Sequence, residues 1–321
     1  MKRTSMLPWP KHRSGWIATV GILCIGAMGY RDGWSALRSP SMQVGQQAIS
    51  VSTDVVRVPV MVTDERGNFI AGLSVQNFLV YEDKRPQHIT FYEQQDVPIT
   101  VGLLVDHSGS MAGKLPEVAE AISALAHSSN PQDEMFVVDF GDEVLLEKVN
   151  GKPFSSDPAE LGRAVAKVSA QGRTALYDAV VAGFDHLRLG QWQKKALIIV
   201  SDGGDNASHH NYAEVLALAR SSQVVIYAIG LVGEPGEEEN PKVLERICKD
   251  TGGIAFFPQM GESIVEVANR ISTDLRKQYT LGYIPDRDRS GDTYRRIEVR
   301  VSVPGQAKIR VRSRTGYTIT K

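Results

Sequence analysis

The chain has 321 residues, enough for one large domain or two modest ones, and ample for a sizeable core. Its 36 Lys and Arg stand against 37 Asp and Glu, a net charge of -1, so the basic excess of an electrostatic nucleic-acid binder is absent and no nucleic-acid partner is expected. Two cysteines, Cys24 and Cys248, do not make a disulfide framework.

Residues 1–30 read as an export segment. Lys2, Arg3, Lys11, His12 and Arg13 form a basic region, and an uncharged apolar run follows from Trp16 to about Tyr30, short for a membrane span. No convincing small-x-small cleavage site follows the run, and Leu23 precedes Cys24 where a lipoprotein signal has a small residue. A cleaved signal peptide and a retained signal anchor both remain open, giving a secreted, periplasmic or membrane-anchored protein. Residues 31–50, rich in Ser, Gln and Gly, read as a linker.

Residues 51–96 read as strands. Val56, Val58, Val60 and Val62 alternate with Arg57, Pro59, Met61 and Thr63, the period of a half-buried strand, and Pro59 marks it as an edge. Asp64 to Asn68 is a turn, and Phe78–Tyr81 and His88–Tyr92 are further short strands. From Ile99 to Val105 the run is almost wholly apolar, as in a strand covered on both faces of a parallel sheet. A helix follows, with Leu115, Val118, Ala119, Ile122 and Leu125 on one face and Pro116 in its first turn. Met135–Phe140 is the next strand, Val144–Lys148 a partner for it, and Ser156 or Asp157 caps a helix that carries Leu161, Val165 and Val168. Strands at 196–200, 224–229 and 254–257 then alternate with helices over 176–187, 213–221, 241–251 and 262–278. Such alternation predicts an α/β fold with a doubly wound, mostly parallel sheet.

After residue 278 the pattern returns to strands. Ile297, Val299, Val301 and Val303 alternate with polar residues, Pro304-Gly305 turns the chain, and Ile309 and Val311 alternate with Arg310 and Arg312. Neither flank is long enough to build a core alone. The expected organisation is therefore an α/β domain at 97–277, with 51–96 and 278–321 pairing into a small flanking β-sandwich.

The chemistry concentrates in Asp106-His107-Ser108-Gly109-Ser110, at the carboxyl end of the first buried strand, the edge where open α/β sheets bind ligands. Thr174 before one helix and Asp202 at the end of the strand 196–200 fall on the same edge. Ser108, Ser110 and Thr174 supply short neutral hydroxyls, and Asp106 and Asp202 supply carboxylates. These are the donors that a hard divalent cation takes, and Mg²⁺ takes six in octahedral geometry while keeping some waters. If the carboxylates act through water, the inner shell stays neutral. The ion then remains electrophilic toward an anionic oxygen such as a partner's Asp or Glu.

Asp-x-Ser-x-Ser, then Thr, then Asp, on three loops in this strand–helix order, resembles the metal-ion-dependent adhesion site of von Willebrand factor type A domains, over roughly residues 97–277. The resemblance implies that Ser108 and Ser110 bind the metal directly, Thr174 directly or through water, and Asp106 and Asp202 largely through water or as hydrogen-bond anchors. It implies Mg²⁺, with Mn²⁺ or Ca²⁺ as substitutes, and a protein partner whose carboxylate completes the shell. Val56–Asp64 with Gly67, and Tyr279-Thr-Leu-Gly-Tyr283, also resemble segments that flank such domains in bacterial exported proteins. One departure is Arg173, where family members often have Gly: it either steers an anionic ligand or crowds the loop.

Other readings compete. Ser110 alone is explained as a helix cap. His107, His209 and His210 suggest zinc but lack a paired Cys or a His-Glu-x-x-His helix, so they read as solvated loop residues. Arg295, Arg296, Arg300, Arg310, Arg312 and Arg314 read as the solvent face of a sheet, and Glu234–Asn240 as a solvated loop. Asp205 and Asn206 either touch the outer shell of the metal or cap the next segment. A Mg²⁺-dependent hydrolase or phosphoryl-transfer enzyme is the second function class. It lacks Gly-x-Ser-x-Gly around Ser108 and any Gly-x-x-x-x-Gly-Lys loop. A structural envelope-assembly protein with a fold-stabilising metal is the third.

Overall fold

A computed structural model describes residues 55–148, 151–231, 240–259, 261–285, 294–305 and 308–319. The export segment, the linker and most of the acidic loop lie outside the described residues.

The amino flank supplies β1 (Val56–Asp64), β2 (Phe78–Glu82), β3 (Arg85–Gln87) and β4 (Ile89–Glu93). The α/β part then runs β5 (Ile99–Asp106), α1 (Leu115–His127), β6 (Glu134–Phe140), β7 (Val144–Glu147), α2 (Pro158–Ala166), α3 (Leu176–Leu187) and β8 (Lys194–Ser201). It continues with α4 (Tyr212–Ser221), β9 (Val225–Gly230), α5 (Pro241–Thr251), β10 (Ala255–Phe256) and α6 (Ile264–Lys277). The carboxyl flank gives β11 (Tyr279–Tyr283), β12 (Tyr294–Val301), β13 (Ile309–Ser313) and β14 (Gly316–Thr318).

The six-stranded sheet has the order β10-β9-β8-β5-β6-β7, parallel except for β7. All eight residues of β5 are buried, because strands flank it on both sides and helices cover both faces. Val101, Leu103 and Val105 pack with α1, α2 and α6, while Leu104 points to the other face with α3, α4 and α5. The helices start where capping chemistry allows. Asp157 accepts from the Ala159 and Glu160 amides at α2, and Asn211 forms a capping box with Glu214 at α4. Gly252 ends α5 at φ +89°, a conformation that an L side chain resists. Strand order reverses between β8 and β5, so a crevice opens at their carboxyl ends.

Strands from the two flanks mix in two further sheets, ordered β13-β1-β11-β4 and β14-β12-β2-β3. One apolar cluster joins them, with Val58, Val60 and Val62 of β1 against Phe78, Val80, Leu281, Ile297 and Val299. The two motifs that resembled exported bacterial proteins turn out to be direct partners: Val56 pairs with Tyr283 and Val60 with Tyr279. Both tyrosines are fully buried, and their hydroxyls donate to Glu82 Oε2 and Ile70 O.

Two expectations are corrected here. β1 is an interior strand, with β11 and β13 on either side. It tolerates Pro59 because β13 pairs with it only from Val60 onward, so at Pro59 the strand has a single neighbour and needs no second amide donor. Nor is the arginine stripe one solvent face. Arg296, Arg300 and Arg310 are exposed, but Arg295 and Arg314 are buried. Arg295 shares the parity of Ile297 and Val299, so it points inward, where Nη1 donates to Glu82 Oε1 at 2.7 Å.

Candidate metal site

The candidate residues lie on three loops that the backbone ties together. β5 ends at Asp106, and the chain turns into a short 3₁₀ segment, Gly109–Met111. The Gly109 amide donates to Gly172 O, and the Gln171 amide to His107 O, so the first loop is bonded to the one preceding α3. β8 ends at Ser201, and Asp202 follows, with Gly203 at φ +86°. A Cβ there would stand 2.7 Å from Asn240 O, so this turn needs glycine twice over.

Within this frame the oxygens converge. Ser108 Oγ and Ser110 Oγ are 3.1 Å apart, and Ser110 Oγ donates to Asp202 Oδ2 at 2.6 Å. Asp202 Oδ1 accepts from the Gly204 amide. Asp106 Oδ1 accepts from the Ser108 amide at 2.8 Å, and Oδ2 from Ser201 Oγ at 2.6 Å. Thr174 is brought to the same edge through its backbone rather than its hydroxyl: its amide donates to Asn206 Oδ1, and its carbonyl accepts from the Asn206 and Ala207 amides. Asp106, Ser108, Thr174 and Asp202 are buried, whereas Ser110 is exposed and marks the open side of the cluster.

Electrostatics leave this cluster short of positive charge. Burial pushes the Asp106 carboxyl above the ordinary range. Hydrogen bonds from Ser108 and Ser201 oppose that, and the Asp202 charge adds to it. No Lys, Arg or His of the described residues forms an ion pair with either carboxylate. Two carboxylates and three hydroxyls on one edge, with no cation supplied by the chain, are a donor set that fits a hard divalent ion. Among the described residues there is no group of three or more His, Cys, Asp or Glu placed to hold a metal ion.

Among the three histidines, His107 differs from expectation. His107 is buried, not solvated: its ring meets Val105 O at Nδ1 and Val165 O at Nε2, with Asp139 Oδ1 3.3 Å from Nδ1. The pattern hid this, because a residue one step past a strand end looks like loop while the α2 side closes over it. His209 and His210 are exposed and donate their amides to Asp178 at the start of α3. Arg173 lies largely in solvent, its Nε donating to Asp142 Oδ1 at 3.0 Å. Asn206 holds Thr174, and Asp205 Oδ1 accepts from the Tyr177 amide and Ser208 Oγ. Ser201 was missed; its only signal is its place directly before Asp202 in a buried strand.

Residues 100–270 match the von Willebrand factor type A domain family, and the chain belongs to that family. Such domains typically mediate metal-dependent protein interactions and are generally interaction modules rather than enzymes. An uncharacterized protein from Synechocystis sp. is 23% identical over 172 residues, which cover 52% of this chain and 40% of that protein. The chain thus spans well under half the length of this curated relative. Among solved structures, a von Willebrand factor type A protein from Catenulispora acidiphila aligns with TM-score 0.50 at 13% identity, over 84% of this chain and 75% of that one. The manganese-loaded TRAP protein of Plasmodium vivax aligns with TM-score 0.44 at 14% identity, over 76% of this chain and all of that one.

Proposed function

We propose that this protein is an exported, divalent-metal-dependent binding module that docks a carboxylate of a protein partner on a bound Mg²⁺. The observation that carries the reading is the hydroxyl chain from Ser108 through Ser110 to Asp202, closed across two strand ends at 3.1 and 2.6 Å and open to solvent at Ser110. Ser108 and Ser110 hold the ion, Thr174 joins them from the adjoining loop, and Asp106 and Asp202 orient the hydroxyls and balance the charge. When bound, the cation supplies an electrophilic position for an anionic oxygen; Mn²⁺ or Ca²⁺ would substitute for Mg²⁺ through the same oxygen donors. Arg173, on the rim and partly free of Asp142, favours an acidic partner. Export rests on the basic-then-apolar order of residues 1–30, which also leaves membrane attachment open. The flanks 51–96 and 278–321 form the body from which the 97–277 domain projects its site.

Calorimetric titration of Mg²⁺ into the chelator-treated full chain tests the reading. One saturable site is expected, lost in an Asp106→Ala, Ser108→Ala double variant of unchanged circular dichroism. A peptide ending in Asp should then bind in Mg²⁺ but not in EDTA. Absence of Mg²⁺ binding, or equal binding by the double variant, refutes the metal-dependent module.

A further inference from the structure

The opposite edge of the six-stranded sheet holds a second feature. Where the chain passes into β5 and leaves α6 for β11, it encloses a cavity of about 310 Å³. Its apolar walls are Val97, Pro98, Ile99, Trp192, Val225 and Leu275. Its polar lining includes Arg57, Lys194 and Lys195 against one carboxylate, Glu93. A cavity of this size, mostly apolar with a few charged groups, suits a small molecule.

The cations are not equally free. Lys195 Nζ donates to Leu187 O and Gly190 O. Arg57 donates to Gln193 Oε1 and lies over the Phe91 ring, 4.9 Å from its centroid. Lys194 Nζ donates to Leu275 O, and it forms no ion pair with a carboxylate among the described residues. Burial pushes its ammonium down to about 8, although Asp96, Glu93 and Asp133 act at longer range to raise it and Arg276 to lower it. A desolvated ammonium is normally paired, because removing it from water without a partner is costly.

We propose that this cavity binds a small organic anion, a compact apolar body bearing one carboxylate, with the carboxylate on Lys194 and the body against the apolar walls. The charge imbalance selects the anion, and the walls select its apolar body. Such a ligand touches β1 and β11 of the flanks as well as β5, β8 and β9, so it clamps the junction where the chain enters and leaves the α/β part. It lies one strand length, roughly 25 Å, from the proposed metal site, at the other end of β5 and β8.

Octanoate, titrated calorimetrically into the full chain in EDTA, is the probe. EDTA keeps the carboxylate from being captured by a divalent ion at the other edge, so failure here and failure of the metal reading are separable. One saturable site is expected, with octanamide and a Lys194→Met variant each binding at least tenfold more weakly, and with Asp106→Ala binding as the unaltered chain does. A Val97→Trp variant, which fills the cavity from a half-buried position, should also bind at least tenfold more weakly. If Lys194→Met does not fold, the comparison of octanoate with octanamide decides the role of charge and Val97→Trp decides the location. No octanoate binding at millimolar concentration, equal affinity for octanoate and octanamide, or undiminished binding by Val97→Trp overturns the proposal.

Discussion

Ser201 Oγ donates to Asp106 Oδ2 at 2.6 Å, joining the carboxyl ends of two neighbouring strands whose residues lie 95 positions apart in the chain. Both residues are fully buried. The same hydroxyl oxygen accepts from the Gly203 amide, so one serine orients the carboxylate and shapes the turn after Asp202.

Ser201→Ala removes that hydroxyl without altering the strand. It leaves a buried carboxylate oxygen and a buried amide unsatisfied, at a cost of about 1–3 kcal/mol. Denaturant unfolding in EDTA should show that loss. Because partners behind a ligand set its orientation, Mg²⁺ affinity should fall about 10- to 100-fold. Unchanged affinity at reduced stability would show that Asp106 does not need Ser201 to serve the site.

Glu82 and Arg295 form a pair that is almost wholly buried between the flanking sheets, with Tyr283 and Tyr317 hydroxyls completing the Glu82 carboxylate at 2.7 and 2.9 Å. Arg295→Met strands the carboxylate and should destabilise the chain by about 3–5 kcal/mol. The double variant Glu82→Gln, Arg295→Met should lose less than Arg295→Met alone, since no uncompensated charge remains. Thermal or urea unfolding of four chains (unaltered, Glu82→Gln, Arg295→Met and the double variant) measures the coupling, and additive losses would mean that the two charges act independently.

The legibility of this chain follows the range of the interactions. β5 and the helix faces were readable because burial on two faces makes an unbroken apolar run, and burial on one face makes a period. The strand-end and loop positions of Asp106, Ser108, Ser110, Thr174 and Asp202 were readable because the end of an apolar run is a local signal. Pro59 misled, since whether β13 reaches that far along β1 is a property of pairing with a segment some 250 residues away. Arg295 misled because a charge at an inward position is admissible only through Glu82, and the sequence does not show that partner facing it. His107 misled because its solvent cover comes from the end of α2, Val165. In each case a long-range neighbour decided what local chemistry left open.

Gly253 is such a neighbour-dependent position. It lies between α5 and β10, and a Cβ there would stand 1.8 Å from Ile226 O in β9. The obstacle is backbone, which cannot rotate aside. Gly253→Ala should therefore cost about 2–4 kcal/mol, whereas Gly113→Ala, with nothing within 4 Å of the added atom, should stay within about 0.5 kcal/mol. Urea midpoints of the two variants check this directly, and a tolerated Gly253→Ala would mean that the α5–β10 turn can lift from the sheet.

Asp139 gives the chain a pH dependence of unusual sign. Its carboxyl is buried beside His107, and neither oxygen accepts a hydrogen bond among the described residues. Burial pushes its pKa up to about 8, the Glu147 charge adds to this, and Lys167 opposes it. In the unfolded chain the same group titrates near about 3.9. Between those values the folded state keeps a proton that the unfolded state has released, so stability falls as pH rises across that window and levels off above it. Asp139→Asn carries no titrating group. Relative to the unaltered chain it should be near neutral at about pH 4 and more stable by an amount that grows to the order of a few kcal/mol above about pH 8. The comparison of the two chains at each pH, by urea unfolding in EDTA, cancels every group that does not interact with Asp139. A stability difference that does not change with pH would show that Asp139 is already ionised in the fold.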